Sequence, residues 1–206
     1  MIPTLKNIQE AQKIYHQVPS WEKIDDLLYN TFKQYPRNSD HDTVVFKIEL
    51  VDSLYNCNLM MDKTKVADEV INLNLDLSSG DTINNVNKIA EIKLNTSTKR
   101  VGWVFSSKYC HFHRPEKYPI CDKFAKKSMK HLIGKTYVYY DQYENYKKEL
   151  DMLILKIKKD LSYKQMDVYL YLLGQWMDHK KGKKDISANI KRIIEIKPNL
   201  FKNLEP

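Results

Sequence analysis

Two side chains near the middle of the chain have the reactivity needed for covalent chemistry. The segment VGWVFSSKYCHFHRPEKYPICDKFA, residues 101–125, places Lys108 near the start of an apolar helix and Asp122 at the start of the next helix. The segment between them contains two prolines, which disfavour helical geometry at and before themselves and so predict a turn. Such a turn can bring an amine, which is a nucleophile, close to a carboxylate, which stabilises positive charge. Spacing alone leaves open whether Lys108 is reactive or a solvated helix position, and whether Asp122 does more than cap its helix.

This segment resembles the signature of the helix–hairpin–helix (HhH-GPD) base-excision DNA glycosylases, in particular the compact members that resemble 8-oxoguanine glycosylases. In that family a lysine of the hairpin's second helix is followed, after a proline-containing loop, by an aspartate that caps the next helix. Lys108 matches the lysine, Asp122 matches the aspartate, and Tyr118-Pro119-Ile120 matches the apolar-proline-apolar lead-in. The resemblance, which covers about residues 44–132, implies that the carboxylate stabilises charge on the sugar and that the amine forms a Schiff base with it.

A second segment, YNCNLMMDKTKVA, resembles the part of these glycosylases that fills the gap left by the flipped base. Asn58 falls at that position, where an amide can offer both a donor and an acceptor to the orphaned base. Ser106 and Ser107 occupy the hairpin position that approaches a DNA phosphate in the family. The resemblance therefore implies DNA contacts for all three residues, although Asn58 could equally end a helix.

The helix that follows Asp122 carries a basic face. Lys123, Lys126 and Lys127 lie on it, with Lys130 and His131 one turn further on. The net charge of +8 and the pI of about 9.1 agree with a polyanionic partner, because cations near phosphates release condensed counterions. We expect the first three lysines to contact the DNA backbone, while a merely solvated face and a lysine-rich composition are the alternative interpretation.

Aromatic and histidine side chains cluster around Lys108 in the sequence. Four of them could line a pocket for a flipped base: Trp103, Tyr109, His111 and His113. Aromatic residues at helical spacing more often belong to a core, so this assignment has a structural alternative. Neighbouring cysteines lack regular ligand spacing, and histidines two positions apart on a helix point in different directions. We therefore predict neither a metal nor a cofactor.

Apolar residues recur at helical spacing along nearly the whole chain, which predicts an all-α fold. The helices are expected at 4–18, 20–35, 43–55, 63–73, 101–112, 123–132, 143–161, 163–177 and 186–194. One more helix is expected to begin at the cluster of residues 78–81 and to end at residue 92. We predict one helical domain over residues 1–206, with possible lobes at 40–132 and at 1–39 plus 133–206. The lobes are expected to pack together around a cleft and to contain the helix–hairpin–helix element.

The chain contains no apolar run near the roughly 20 residues that cross a bilayer, and its first residues do not resemble a secretory signal. Its three cysteines are irregularly spaced, which is typical of reduced thiols. These features predict a cytoplasmic protein without a membrane partner, and we expect a monomer.

Together these observations lead to the hypothesis of a DNA glycosylase. Its substrate would be double-stranded DNA that contains a modified base, its chemistry could include strand cleavage (AP lyase activity), and its role would lie in DNA repair or in defence against phage DNA. One alternative is a catalytically inactive DNA-binding module on the same scaffold, because only Gly102 stands near the hairpin, where the family usually has several glycines. Another alternative is a helical protein-interaction or toxin–antitoxin component.

Overall fold

The predicted all-α class is confirmed by the computed structural model, which describes residues 1–57, 59, 63–76, 82–92, 102–136, 138–157, 160–184 and 186–206. In this part of the chain every regular element is a helix. The α-helices are α1 (Leu5–Tyr15), α2 (Pro19–Gln34), α3 (His41–Tyr55), α4 (Lys63–Asn72), α5 (Thr82–Glu91), α6 (Trp103–His113), α7 (Lys123–Ile133), α8 (Tyr143–Ile157), α9 (Tyr163–Lys180), α10 (Ala188–Ile196) and α11 (Pro198–Lys202), with a 3₁₀ helix at Val138–Asp141. None of these helices combines the length and hydrophobicity that crossing a membrane requires.

Side-chain caps explain where several helices begin. Ser162 and Gln165 form a capping box at the start of α9, and the predicted cap of α7 by Asp122 is confirmed. Helix α3 begins at His41 rather than at the predicted Thr43, because the carboxylate of Asp40 accepts a hydrogen bond from the Thr43 amide at 2.8 Å. Local hydrogen bonds of this kind set helix ends more sharply than apolar spacing does.

The chain divides into two compact units. Unit 1 comprises residues 1–22 and 122–206, and unit 2 comprises residues 23–121. Residues 23–34 of α2 belong to unit 2 because rings on α2 pack against α6, with Phe32 in contact with Tyr109 and Tyr29 with Phe112. Residues from 122 onwards belong to unit 1 because α7 packs on α9. The predicted cleft and helix–hairpin–helix element stay predictions.

Helices α7 and α9 form the centre of unit 1 and approach each other closely. The Ser128 hydroxyl of α7 donates a hydrogen bond to the Leu170 carbonyl of α9 at 2.6 Å. Four residues further along α9, Gly174 faces the backbone of Phe124, and a Cβ atom at that glycine would lie 2.6 Å from the Phe124 carbonyl oxygen. The missing side chain therefore allows the start of α7, directly after Asp122, to rest on α9.

Helix α6 lies inside unit 2 and is enclosed by α3, α5 and the end of α2. All residues from Phe105 to Phe112 are buried, including both serines, one lysine and one histidine. Such a helix exposes no continuous polar face, so each polar side chain needs a partner within the unit or carries a free-energy cost.

We predict that Gly174→Ala destabilises the protein by about 1–3 kcal/mol, because the added methyl group forces the start of α7 away from α9. Chemical denaturation monitored by circular dichroism measures the change. A glycine inside a helix that met no neighbour would instead gain about 1 kcal/mol on replacement by alanine. A stabilised Gly174→Ala variant would therefore contradict the close packing.

Candidate functional site

Lys108 is buried in α6 and is only 6% exposed. Its ammonium group lies 4.5 Å from the centre of the Tyr55 ring, a cation–π contact. Among the described residues the ammonium group has neither a hydrogen bond nor an ion pair. Lysine is almost never this buried without a charged partner, so Lys108 is an unusual residue in the structure.

The Tyr55 side chain connects Lys108 to a carboxylate that the sequence analysis did not select. The Tyr55 hydroxyl donates a hydrogen bond to Asp25, which is 4% exposed. Asp25 lies on the same face of α2 as Leu28 and Phe32, both of which are buried. A carboxylate within an apolar helical stripe was the sequence signal that could have revealed it.

The serines that precede Lys108 are engaged inside unit 2. The Ser106 hydroxyl donates to the Gly102 carbonyl at 3.1 Å, and the Ser107 hydroxyl accepts a hydrogen bond from the Cys121 amide at 3.0 Å. Both residues are fully buried. Their hydroxyl groups thus stabilise the start of α6 and the connection that leads to α7, and their predicted DNA contacts stay predictions.

His111 is also a fully buried member of unit 2. Its Nδ1 atom donates to the Tyr118 carbonyl at 2.7 Å, since a carbonyl oxygen only accepts, and its Nε2 atom lies 2.7 Å from the Tyr29 hydroxyl. The Tyr118 hydroxyl in turn accepts a hydrogen bond from Asn85 at 3.0 Å. These contacts fix the ring from both sides and agree with the structural alternative for this histidine.

Two further residues of the predicted pocket, Trp103 and Tyr109, donate hydrogen bonds to asparagine side chains. Trp103 is partly exposed, and its indole nitrogen donates to the Asn87 side chain at 3.1 Å. Tyr109 is fully buried, and its hydroxyl donates to the side-chain carbonyl oxygen of Asn38 at 2.7 Å. A base pocket formed by these residues stays a prediction.

Within the described residues no three His, Cys, Asp or Glu side chains group as metal ligands do.

A buried polar cluster surrounds Asn38. Its side chain accepts hydrogen bonds from Tyr109 and from Lys47, the latter at 3.3 Å, and donates to Asp76 at 3.0 Å. The His113 Nε2 atom lies 3.2 Å from the same Asp76 carboxylate. Burial lowers the pKa of Lys47 to about 8 and the pKa of His113 to about 4, although the charge of Asp76 opposes both shifts.

Asp122 holds the start of α7 through one of its two carboxylate oxygens. Oδ1 accepts hydrogen bonds from the amides of Phe124 and Ala125, both at 2.8 Å. Within the described part of the chain Oδ2 accepts none. The amides and the helix dipole stabilise the negative charge of the group. Burial, and secondly the charge of Asp122, raises the pKa of the Tyr171 phenol to about 12.

The predicted basic face of α7 is partly neutralised within unit 1. Lys126 forms an ion pair with Asp141 at 2.6 Å, and Lys127 forms one with Asp178. Lys123 is exposed. Their contacts with DNA stay predictions, and Asn58 lies outside the described residues.

A groove of about 700 Å³ lies beside α7 in unit 1. We call it the basic groove, and the charged side chains that line it include Lys123, Lys127, Lys130, Asp178, Lys181 and Lys183. The lysines of α7 are evident in the sequence as a basic face, but nothing in the sequence connects them with the lysines that follow α9. The groove begins at Lys123, one residue after Asp122. The carboxylate that caps α7 is therefore next to the lysines of the groove.

Comparison with known proteins places the chain in a family. The model of the HI_0787_N family, described as an N-terminal domain, matches residues 5–117, which is more than half of the chain. The chain belongs to the HI_0787_N family. The HI_0787_N match includes Lys108 and the polar cluster around Asn38, and it ends before Asp122. Neither a curated protein nor a solved structure matches the chain.

We predict that acid destabilises the fold through His113. Its pKa is about 4 in the folded protein against an ordinary value of 6.5, so the unfolded chain binds the proton first as the pH falls. The free energy of unfolding should therefore decrease between pH 6.5 and pH 4, by roughly 3 kcal/mol in total from this group. Urea denaturation at several pH values measures the effect.

His113→Gln provides the matched control, because an amide keeps hydrogen-bonding capacity but does not titrate in this range. The variant should lose most of the stability change between pH 6.5 and pH 4 that the native chain shows. An unchanged pH profile in the variant would assign the acid sensitivity to other groups.

Proposed function

We propose that this protein is a DNA glycosylase that removes a modified base from double-stranded DNA, in repair or in defence against phage DNA. In this proposal Lys108 supplies the amine, Asp122 supplies the carboxylate, and the enzyme acts as a cytoplasmic monomer without a cofactor. The observation that carries the proposal is the buried ammonium group of Lys108, which has no counter-ion among the described residues.

The two buried lysines of unit 2, Lys47 and Lys108, differ in their partners. Lys47 is the other lysine buried to a similar degree in the described part of the unit, and its ammonium donates to the Arg37 carbonyl at 2.9 Å and to Asn38. Lys47 therefore has the partners that a structural lysine needs. Among the described residues Lys108 rests only on the face of the Tyr55 ring, and it forms no ion pair with them that would have to break before it bonds to a sugar. Reactive lysines lie in such surroundings.

The proposed chemistry uses the two groups in different steps. As the bond between C1′ and the base breaks, its electron pair leaves with the base, and the positive charge that develops on the sugar is stabilised by the Asp122 carboxylate. The Lys108 ammonium gives a proton to the departing base, and the lone pair of the resulting amine bonds to C1′. The C1′–O4′ bond then breaks, O4′ takes a proton from the same nitrogen, and a protonated imine remains. The available Oδ2 oxygen of Asp122 supports its part of this scheme, because capping occupies only Oδ1. Lys108 belongs to unit 2 and Asp122 to unit 1.

A second candidate function is DNA binding without catalysis. The basic groove favours it, because cations in a groove attract a phosphate backbone whether or not Lys108 reacts. The two candidates differ in one product: only a glycosylase leaves abasic sites in the DNA.

We predict that Lys108→Gln abolishes a covalent adduct that borohydride traps between the protein and duplexes carrying modified bases. Reduction of the imine links Lys108 to the sugar permanently, and the variant has no amine to form that link. Denaturing gels of a panel of modified duplexes measure the adduct.

Lys33→Gln is the matched control for Lys108→Gln, because Lys33 is an exposed lysine on α2. Lys33→Gln should form the borohydride-trapped adduct to the same extent as the native chain. Since an unpaired buried charge adds little stability, the unfolding free energy of Lys108→Gln should stay within about 1 kcal/mol of the native value. Trapping that survives in Lys108→Gln would exclude this lysine as the nucleophile.

We predict that Asp122→Asn reduces base release by roughly 100- to 1000-fold while the fold stays intact. Asparagine is an equally good N-cap, so the variant keeps the hydrogen bonds to the amides of α7 and removes only the negative charge. Asp122→Ala should lose base release and in addition about 1 kcal/mol of stability. The measurements are alkali-labile sites in the DNA and thermal unfolding. Full base release by Asp122→Asn would limit this residue to capping.

A further inference from the structure

The basic groove is built from two segments that are far apart in the sequence. One wall is α7, which contributes Lys123, Lys127 and Lys130, and the other is the end of α9 with the turn that follows it. Lys181 and Lys183 lie in that turn, on either side of Gly182. The groove lies entirely within unit 1 and opens to solvent, so it can receive an extended ligand.

The turn after α9 has a defined backbone conformation. The Gly182 amide donates to the His179 carbonyl at 2.9 Å, and the Lys183 amide donates to the Asp178 carbonyl at 3.1 Å. Gly182 has a φ of 65°, a left-handed conformation that favours glycine. These hydrogen bonds hold Lys181 and Lys183 opposite α7, so the two cations are placed by the fold.

The groove has a large excess of positive charge. Asp178 is its one carboxylate among the described lining residues, and it is shared between Lys127 and Lys183, the latter at 3.3 Å. These two lysines hold the pKa of Asp178 below its usual value although burial opposes that direction. Three lysines, at positions 123, 130 and 181, are exposed and have no ion pair within the described chain. Fixed cations without counter-ions favour an anionic ligand.

We propose that the basic groove binds the phosphodiester backbone of duplex DNA, outside the place where the base is excised. Repeated phosphates match a row of lysines on two walls, and each phosphate that a lysine neutralises releases condensed counterions. The choice of duplex DNA as the polyanion rests on the proposed function. The Asp178 carboxylate keeps Lys127 and Lys183 in place, and Lys123, Lys130 and Lys181 face the ligand.

The position of the groove on α7 gives this site a role in the proposed reaction. Asp122 caps α7, and the next two residues, Lys123 and Phe124, already line the groove. A backbone held there would extend away from the carboxylate along the same helix. Helix α7 would thus fix the distance between a bound phosphate and the Oδ2 oxygen of Asp122.

The test measures binding of an unmodified fluorescent duplex by fluorescence anisotropy over a range of salt concentrations. The variant Lys123→Gln, Lys130→Gln, Lys181→Gln removes the three exposed groove charges that have no ion pair within the described chain. The matched control Lys6→Gln, Lys148→Gln, Lys156→Gln removes three exposed charges from elsewhere in unit 1. Lys127 and Lys183 stay unchanged because they hold Asp178.

The groove variant should bind DNA at least tenfold more weakly at low salt. Its slope of log K against log salt should fall by about 0.9 for each phosphate that is no longer neutralised, hence by roughly 2–3 in total. The control should keep the native slope. Equal effects of the two variants would show a general response to net charge and overturn the proposal, and so would native binding by the groove variant.

Two further arms identify the ligand and separate this proposal from the proposed function. Displacement of the duplex by poly-glutamate at the same charge concentration would overturn the phosphodiester assignment and indicate an acidic protein partner. Lys108→Gln should bind the unmodified duplex as the native chain does. The groove variant should still form the borohydride-trapped adduct when modified DNA is saturating. Loss of binding in the groove variant, without base release by any form of the protein, would retain the groove and refute the glycosylase.

Discussion

The burial of α6 is the constraint on which unit 2 depends. A helix enclosed from Phe105 to Phe112 cannot place its polar side chains in water, and each unpaired polar group there costs free energy. Ser106, Ser107 and His111 meet this requirement through hydrogen bonds to backbone or side-chain groups of the same unit. Among the described residues Lys108 has no such hydrogen bond, and its contact is the ring of Tyr55.

In unit 1 the cap of α7 and the proposed catalytic carboxylate are the same side chain. The Asp122 carboxylate stabilises the start of α7 with one oxygen and keeps the other available. The close approach of α7 to α9 at Gly174 supports this geometry, because it holds the first turn of α7 in position. Capping and catalysis are therefore compatible at this residue, and the asparagine variant separates them.

The positive charge of the chain is distributed unevenly once the fold forms. Lys126 and Lys127 lie on the helix that the sequence predicts to bind DNA, yet both have carboxylate partners. The excess charge lies instead at Lys123, Lys130 and Lys181. The net charge predicts a polyanionic partner. The ion pairs indicate which lysines are available to bind that partner.

Sequence alone determined the all-α class and the cap at Asp122, because these features depend on residues within one or two helical turns. Tertiary structure decided that the Tyr55 ring lies beside Lys108 and that the Tyr55 hydroxyl bonds to Asp25, since the three residues come from helices distant in the sequence. It also decided the polar cluster around Asn38 and the two walls of the basic groove. A helical pattern shows which face of a helix is buried, but contacts between distant segments depend on how the helices pack, and neither composition nor spacing specifies that.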